Sequence, residues 1–90
     1  MPIPDFVLAL RDKIGHAPLW LSGATAVVLD GDRILLIRRS DTGAWTPITG
    51  IIDPAEEPAE TLVREALEEA NVDIEVERLT STWVTRPVVY

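Results

Sequence analysis

The chain has 90 residues, a length that suits one small domain with a modest core. Its formal net charge of −7 argues against a nucleic-acid polymer as partner, because such binding relies on Lys and Arg to neutralise phosphates. Cysteine is absent, which excludes disulfides and thiolate metal sites. Because the sequence shows neither a leader pattern nor an apolar run of membrane-span length, we expect a cytoplasmic protein without a membrane partner.

Residues 1–19 are predicted to form an amphipathic helix and a loop. Apolar residues recur at helical spacing: Phe6, Val7, Leu10 and Ile14. Pro4 and Asp5 are start signals, and Gly15 is a stop signal. Two roles stay open for this helix: a cover over the domain core, or a contact with a second copy of the chain. His16, in the loop, is interpreted as polar surface.

Two apolar runs, 24–29 and 34–37, flank the turn-forming residues 30–32 and predict a β-hairpin. The runs are continuous rather than alternating. We therefore expect both faces of these strands to be covered, as in a sheet that lies between helix layers.

A second helix is predicted near residues 58–70. Apolar residues recur there at steps of three and four: Ala59, Leu62, Val63, Ala66, Leu67 and Ala70. Pro58 suits the first helical position because its missing N–H is not needed there. The acidic residues Glu57 and Glu60 suit a helix N-terminus. The helix is therefore expected to begin near Pro58 and to bury one face.

Glu65, Glu68 and Glu69 fall within one arc of this helix, beside its apolar stripe, and can converge on one point. Like charges at such spacings destabilise a helix by about a few tenths of a kcal/mol per pair. A hard divalent cation offsets this repulsion, since Mg²⁺ and Mn²⁺ prefer carboxylate oxygens. A metal site on this face is the functional interpretation, and a solvated acidic face is the alternative.

After the helix, Val72, Ile74 and Val76 alternate with acidic residues and predict a half-buried strand. The phase of the pattern slips near residues 77–78, which predicts a bulge or bend before the strand resumes over 83–85. Residues 86–90 are interpreted as the entry to another turn or hairpin.

The stretch 50–72 resembles the Nudix box, in which Gly, five residues, Glu and seven residues precede Arg-Glu-apolar-x-Glu-Glu-x-Gly-apolar. The matching positions are Gly50, Glu56, Arg64, Glu65, Ala66, Glu68, Glu69 and Val72. Asn71 stands where the family has its second Gly. Because Asn is the next best residue for a left-handed helix C-cap, we expect the turn to be kept.

The resemblance implies an α/β fold, specifically the Nudix-type α/β/α sandwich with a mixed sheet. Residues 20–90 would be the N-terminal portion of that domain, and the helix in 1–19 would be an addition to it. Because family members are longer, we expect the C-terminal part of the domain to be missing. Two explanations stay open: the chain is a fragment, or a homodimer partner completes the fold.

The resemblance also implies a reaction: metal-dependent hydrolysis of the pyrophosphate of a nucleoside diphosphate linked to another group. Candidate substrates are nucleotide sugars, ADP-ribose and non-standard nucleoside triphosphates. By analogy, Mg²⁺ or Mn²⁺ would be held by Glu65, Glu68 and Glu69, with the carbonyl of Gly50 as an extra ligand. Arg64, counted with the catalytic set, would be structural: it would pair with an acidic neighbour such as Glu56 or Glu65 and so fix the loop and the carboxylates. The choice of general base stays open.

Three residues before the box are candidates for substrate contact. Near a phosphate site, Arg38 and Arg39 would contact phosphates or a ribose; the alternative is a surface pair that balances the acidic excess. Trp45 would stack on a base, or it packs in the core beside the short segment that leads to the box.

Two other functions stay open. One is a nucleotide-binding module without turnover, and the other is an acidic interaction domain. Metal-dependent release of phosphate or nucleoside monophosphate argues against the first, and binding of Mg²⁺ or Mn²⁺ argues against the second.

Overall fold

The computed structural model describes residues 3–85. Within this range there are two helices and six short strands: α1 (Asp5–Ile14), β1 (Gly23–Ala26), β2 (Leu29–Asp30), β3 (Arg33–Ile34), β4 (Ile37–Arg38), β5 (Trp45–Thr46), β6 (Ile48–Ile51) and α2 (Pro58–Ala70). The strands form three antiparallel pairs, β1 with β6, β2 with β3 and β4 with β5. The α/β class predicted from the sequence is confirmed.

The core lies between α2 and the β1–β6 pair. Its buried members are Ala26, Ile48, Leu62 and Ala66. Leu62 and Ala66 are one helical turn apart, so both point from α2 toward the sheet. Ile48 is fully enclosed beneath them. This packing fixes α2 across β6 and so sets the position of every side chain on that side of the helix.

Helix α2 begins at Pro58 as predicted, with Glu57 as its N-cap. The Glu60 side chain accepts a hydrogen bond of 3.1 Å from the backbone N–H of Glu57, and the Glu57 side chain caps the helix in return. Asn71 ends the helix in the left-handed conformation, with φ 52° and ψ 41°. Asn at this position therefore keeps the turn that the resemblance implies a glycine would make.

Helix α1 begins at Asp5 and ends before Gly15, as predicted. Arg11 closes its C-terminus, since its Nη1 donates to the carbonyls of Gly15 at 3.1 Å and Ala17 at 2.7 Å. Val7 is the buried residue of α1. Neither helix of the described range combines the length and apolar character needed to cross a membrane. Whether α1 covers the core or contacts a second copy stays a prediction.

The hairpin predicted around residues 30–32 forms as the β2–β3 pair, and its paired strands are shorter than the apolar runs 24–29 and 34–37. Leu29 lies opposite Ile34 in the β2–β3 pair, and the backbone N–H of Leu35 extends the pairing to the carbonyl of Val28 at 2.9 Å. The expectation that both faces are covered is wrong, because Leu29 is 68% and Ile34 is 50% exposed. The physical reason is that α2 packs on β1 and β6 and leaves this pair outside the core.

Two further expectations are wrong for residues 3–85. The strand pairs there are separate and all antiparallel, so the expected mixed sheet is not seen. No strand forms over 72–76 or 83–85. Val72 and Ile74 are half-buried and Asp73 between them is exposed, so the alternation is present although no strand pairs with this stretch. The turn predicted in 86–90 lies outside the described residues.

Ala55 adopts a left-handed backbone with φ 66° in the exposed turn before α2. A side chain in this conformation costs about 1–2 kcal/mol, a penalty that glycine avoids. We expect Ala55→Gly to raise the free energy of unfolding by about 0.5–1 kcal/mol, after allowing for the greater freedom of glycine in the unfolded chain. Urea unfolding measures this change.

Ala59→Gly is the matched control, since Ala59 lies in the first turn of α2 with helical geometry. That variant should lose stability by about 0.5–1 kcal/mol. If both variants shift the urea midpoint in the same direction, the conformation of Ala55 does not cost what we infer.

Candidate functional site

Arg64, in the middle of α2, lies within 4 Å of four carboxylates, which with it are here called the Arg64 array: Asp53, Glu56, Glu65 and Glu68. Its Nε and Nη2 atoms donate to the two carboxylate oxygens of Glu56, each at 2.9 Å. Its Nη1 donates to Oε1 of Glu65 at 2.8 Å. The sequence predicted a pairing with either Glu56 or Glu65, and the structure shows both. A planar guanidinium can hold two carboxylates in fixed orientations at once, which a lysine ammonium cannot do.

Glu56 and Arg64 both stay charged at neutral pH and in mild acid. The hydrogen bonds from Arg64 lower the pKa of the Glu56 carboxyl to about 2, and the hydroxyl of Thr61 adds to this effect. In turn, Glu56 raises the pKa of the Arg64 guanidinium well above its usual range. The pair therefore acts as a permanent link between the loop before α2 and the helix itself.

Glu65 is buried against the sheet, where it is 4% exposed. It fits there because β6 carries Gly50 at the point of contact. A Cβ on Gly50 would lie 2.5 Å from Cδ of Glu65, so any side chain at position 50 would displace the carboxylate. One oxygen of Glu65 binds Arg64, while Oε2 is buried without a hydrogen-bond donor.

Glu69 lies one helical turn beyond Glu65, and its Oε2 is also buried without a donor. Burial, first of all, and then the hydrogen bond and negative charge of Glu65 raise the pKa of the Glu69 carboxyl to about 6. A buried oxygen without a donor on each of two neighbouring carboxylates is costly unless a proton or a cation joins them. All-oxygen donors of this kind suit a hard divalent cation, so the residues present fit such an ion.

Glu68 is placed differently. Its Oε2 lies 3.4 Å from Nη1 of Arg64, and its side chain is 58% exposed. Within residues 3–85, no three His, Cys, Asp or Glu side chains gather closely enough to hold a metal ion. The structure thus brings Glu65 and Glu69 together and leaves Glu68 at the surface beside them. The ligand roles of these glutamates and of Gly50 stay predictions.

The three candidate substrate residues lie on the β4–β5 pair and its loop. Arg38 is directly opposite Trp45 in the ladder, so their side chains share one face. Trp45 is 64% exposed, and its interpretation as a core residue is wrong. Arg38 Nε donates to the carbonyl of Gly43 at 3.3 Å. Arg39 holds Asp41 through bonds of 2.9 and 2.7 Å, which keep the pKa of that carboxyl well below its usual range.

Two residues of the site were not found from the sequence. Thr61 is fully buried, and its hydroxyl lies 2.6 Å from Oε1 of Glu56. Asp53 is the second residue. Its backbone N–H donates to Oε1 of Glu56 at 3.3 Å, and the Asp53 carboxylate lies 3.5 Å from Nη2 of Arg64. The available signal was a hydroxyl residue directly beside the apolar stripe of a helix, where threonine is a weak helix former.

The raised pKa of Glu69 makes a prediction about stability. Between pH 4.5 and about 6 the unfolded chain releases this proton while the folded chain retains it, so stability falls as the pH rises through that window. Without added metal, Glu69→Gln should remove this fall and stabilise the protein at pH 7 by about 1 kcal/mol. Urea unfolding in EDTA from pH 4 to 8 measures it.

Glu77→Gln is the matched control, because Glu77 is exposed and lies outside the array. It should leave the pH dependence of unfolding unchanged. A Glu69→Gln variant that unfolds as readily as the parent at pH 7 would show that this carboxylate carries no burial penalty.

The comparisons with known proteins cover the same stretch of chain. The NUDIX domain family matches residues 20–89. The chain is 37% identical over 71 residues to a MutT-like protein of Streptomyces ambofaciens, covering 77% of this chain and 46% of that protein. It is 36% identical over 88 residues to a Nudix hydrolase of Rhodococcus erythropolis, with coverage of 76% and 48%.

A third relative is the dihydroneopterin triphosphate diphosphatase of Escherichia coli strain K12, 29% identical over 72 residues, with coverage of 79% of this chain and 47% of that enzyme. The chain spans about half the length of the curated relatives it matches. The family match includes β6, α2 and the left-handed Asn71, which together position the Arg64 array. On the family match and the geometry of that array, the chain belongs to the Nudix domain family.

Proposed function

We propose that this chain carries the metal-dependent, pyrophosphate-cleaving site of an enzyme that hydrolyses a nucleoside diphosphate linked to another group. The observation that supports it best is the pair of buried, donor-free oxygens on Glu65 and Glu69 beside the Arg64 array. A structural salt-bridge network would satisfy its buried oxygens with donors. Leaving two of them bare on adjacent turns suits the binding of a cation.

Nudix enzymes generally use divalent metals. We assign Mg²⁺ or Mn²⁺ to this site, held by Glu65 and Glu69, with Glu68 and the carbonyl of Gly50 as further ligands. The oxygen donor set favours these hard ions over softer metals. When bound, such an ion supplies charge neutralisation for the phosphates and lowers the pKa of a ligated water.

Arg64 has a different proposed role in the site from Glu65 and Glu69. Arg64 fixes Oε1 of Glu65 and thereby directs the other oxygen away from itself. Without metal, the Glu69 carboxyl has a pKa of about 6, and a cation held between Glu65 and Glu69 would lower it by favouring the charged form. We therefore assign ligation to both Glu65 and Glu69, and the general base is not assigned to one glutamate.

Arg38 and Trp45 are proposed to hold the substrate. They share one face of the β4–β5 pair, and the indole is exposed. An aromatic plane beside a guanidinium suits a heteroaromatic base attached to phosphates. The name of the Escherichia coli relative points to a pterin triphosphate, and a pterin offers an indole the same kind of stacking surface as a purine. Arg39 acts with them as a second cation, oriented by Asp41.

A second candidate function is nucleotide binding without turnover. The position of Glu68 favours it, because this carboxylate lies on Arg64 rather than with the Glu65–Glu69 pair. Binding requires fewer aligned groups than cleavage does.

The proposed reaction is tested by incubating the chain with ADP-ribose, a nucleotide sugar, a non-standard nucleoside triphosphate and dihydroneopterin triphosphate. Each is assayed with Mg²⁺, with Mn²⁺ and with EDTA. We expect metal-dependent cleavage at the pyrophosphate of at least one of them. Glu65→Gln should lower kcat/KM by more than about 100-fold, beyond the range typical of residues that only support a metal ligand.

Glu77→Gln serves as the control and should retain full turnover. Nucleotide binding without product would favour the second candidate. If Mn²⁺ does not bind, as followed by its electron paramagnetic resonance signal, the assignment of a metal site is wrong.

The substrate role of Trp45 makes a separate prediction. Loss of one stacking contact is worth about 1–3 kcal/mol, so Trp45→Ala should raise KM by about tenfold or more while kcat changes little. Trp20→Ala is the matched control, since Trp20 is 80% exposed and lies outside the β4–β5 pair. A fall in kcat at unchanged KM would exclude Trp45 from substrate binding.

A further inference from the structure

Thr61 is a hydroxyl residue in the fourth position of α2, fully enclosed by the protein. Its Oγ1 lies 2.6 Å from Oε1 of Glu56 and 3.4 Å from the carbonyl of Glu57. The Glu57 carbonyl already accepts the backbone N–H of Thr61 at 3.0 Å. The shorter contact is also the one to a charged acceptor, so the hydroxyl proton is directed to Glu56.

This hydrogen bond differs in kind from the others that Glu56 receives. Arg64 also contacts Glu65, Glu68 and Asp53, so its guanidinium has several acceptors within reach. Thr61 is anchored differently: it is buried in the helix, and its β-branched side chain has few rotamers open to it. Its hydroxyl therefore gives the Glu56 carboxylate a fixed point of attachment that the arginine alone does not provide.

We propose that Thr61 is a positioning residue for the metal site, which its hydroxyl supports by holding Glu56 in the orientation that fixes Arg64 and, through it, Glu65. The chain of contacts runs from Thr61 Oγ1 to Glu56 Oε1, from Glu56 to Arg64, and from Arg64 Nη1 to Glu65 Oε1. This inference rests on the proposed function. It adds a residue that stands at an unspecified position of the Nudix box.

The arrangement has a physical consequence for Glu65. Without the hydroxyl, Glu56 is held by Arg64 and the Asp53 amide, and the guanidinium is freer to turn toward Glu68. Any such rotation withdraws Nη1 from Glu65, whose buried carboxylate would then lose its donor. The oxygen available to a cation would no longer be held in one position, and affinity for the ion would fall before the fold is affected.

The test compares Thr61→Val, which keeps the shape of the side chain and removes the hydroxyl, with Thr61→Ser, which keeps the hydroxyl and removes the methyl group. Mn²⁺ affinity is measured on each chain by titration against the electron paramagnetic resonance signal of free Mn²⁺. We expect Thr61→Val to weaken Mn²⁺ binding by about tenfold, as is typical when a supporting partner of a metal ligand is lost. Thr61→Ser should retain most of the affinity, and the loss of kcat/KM should follow the same order.

Thr25→Val is the matched control. Thr25 is half-buried and bonds to the Thr49 hydroxyl at 3.1 Å, on the face of the β1–β6 pair that points away from α2. This variant should bind Mn²⁺ as the parent does. If Thr61→Val does not fold, Thr61→Ala takes its place against the same serine variant.

The outcomes separate the two proposals. Equal Mn²⁺ affinity in the parent and Thr61→Val would overturn the role of Thr61 and leave the proposed function standing. A serine variant as weak as the valine variant would show that packing, not the hydroxyl, is what matters, and this also overturns the inference. Failure of the parent chain to bind Mn²⁺ at all would overturn both.

Discussion

The structure depends above all on the bond between one guanidinium and two carboxylates. Arg64 ties Glu56 in the loop to Glu65 on α2 through hydrogen bonds of 2.9 and 2.8 Å. Glu65 is nearly enclosed, and a buried carboxylate without a cation would take up a proton or leave the interior. With Arg64 in place, one of its oxygens is neutralised and the other is left bare. The array therefore keeps a charge in the interior of a protein with a small core.

The buried Oε2 atoms of Glu65 and Glu69, which have no hydrogen-bond donor, lower the stability of the folded state. Burial raises the pKa of the Glu69 carboxyl first of all, and the hydrogen bond and negative charge of Glu65 raise it further. A domain of this size has little stability in reserve, so such an arrangement is expected only where function requires it. Gly50 shows the same constraint from the side of the sheet, because it leaves room for a carboxylate in place of an ordinary packed side chain. Both features support the proposed cation site.

The sequence predicted the local features and not the long-range ones. The bounds of α2, its start at Pro58, the left-handed Asn71 and the partners of Arg64 all follow from residues within one short stretch. The exposure of Leu29 and Ile34 could not be predicted in this way, since an apolar run becomes buried only if another element packs on it. The same reasoning applies to residues 72–76, whose alternation persists without a paired strand. Thr61 was not predicted as a site residue because the pattern of apolar residues carries no information about a hydroxyl group.

Two parts of the site differ in how firmly the fold holds them. The Arg64 array is built from residues 53–68 and is clamped by the packing of α2 on β1 and β6. The Arg38–Trp45 face belongs to a two-residue strand pair that hydrogen-bonds neither to the β1–β6 pair nor to the hairpin. Metal and phosphate chemistry tolerates little displacement, whereas stacking tolerates a range of bases and angles. The hydrogen-bonded framework of α2 and the β1–β6 pair therefore holds the Arg64 array, whereas the Arg38–Trp45 face depends on its own short ladder and on the packing of Ile37 against the core.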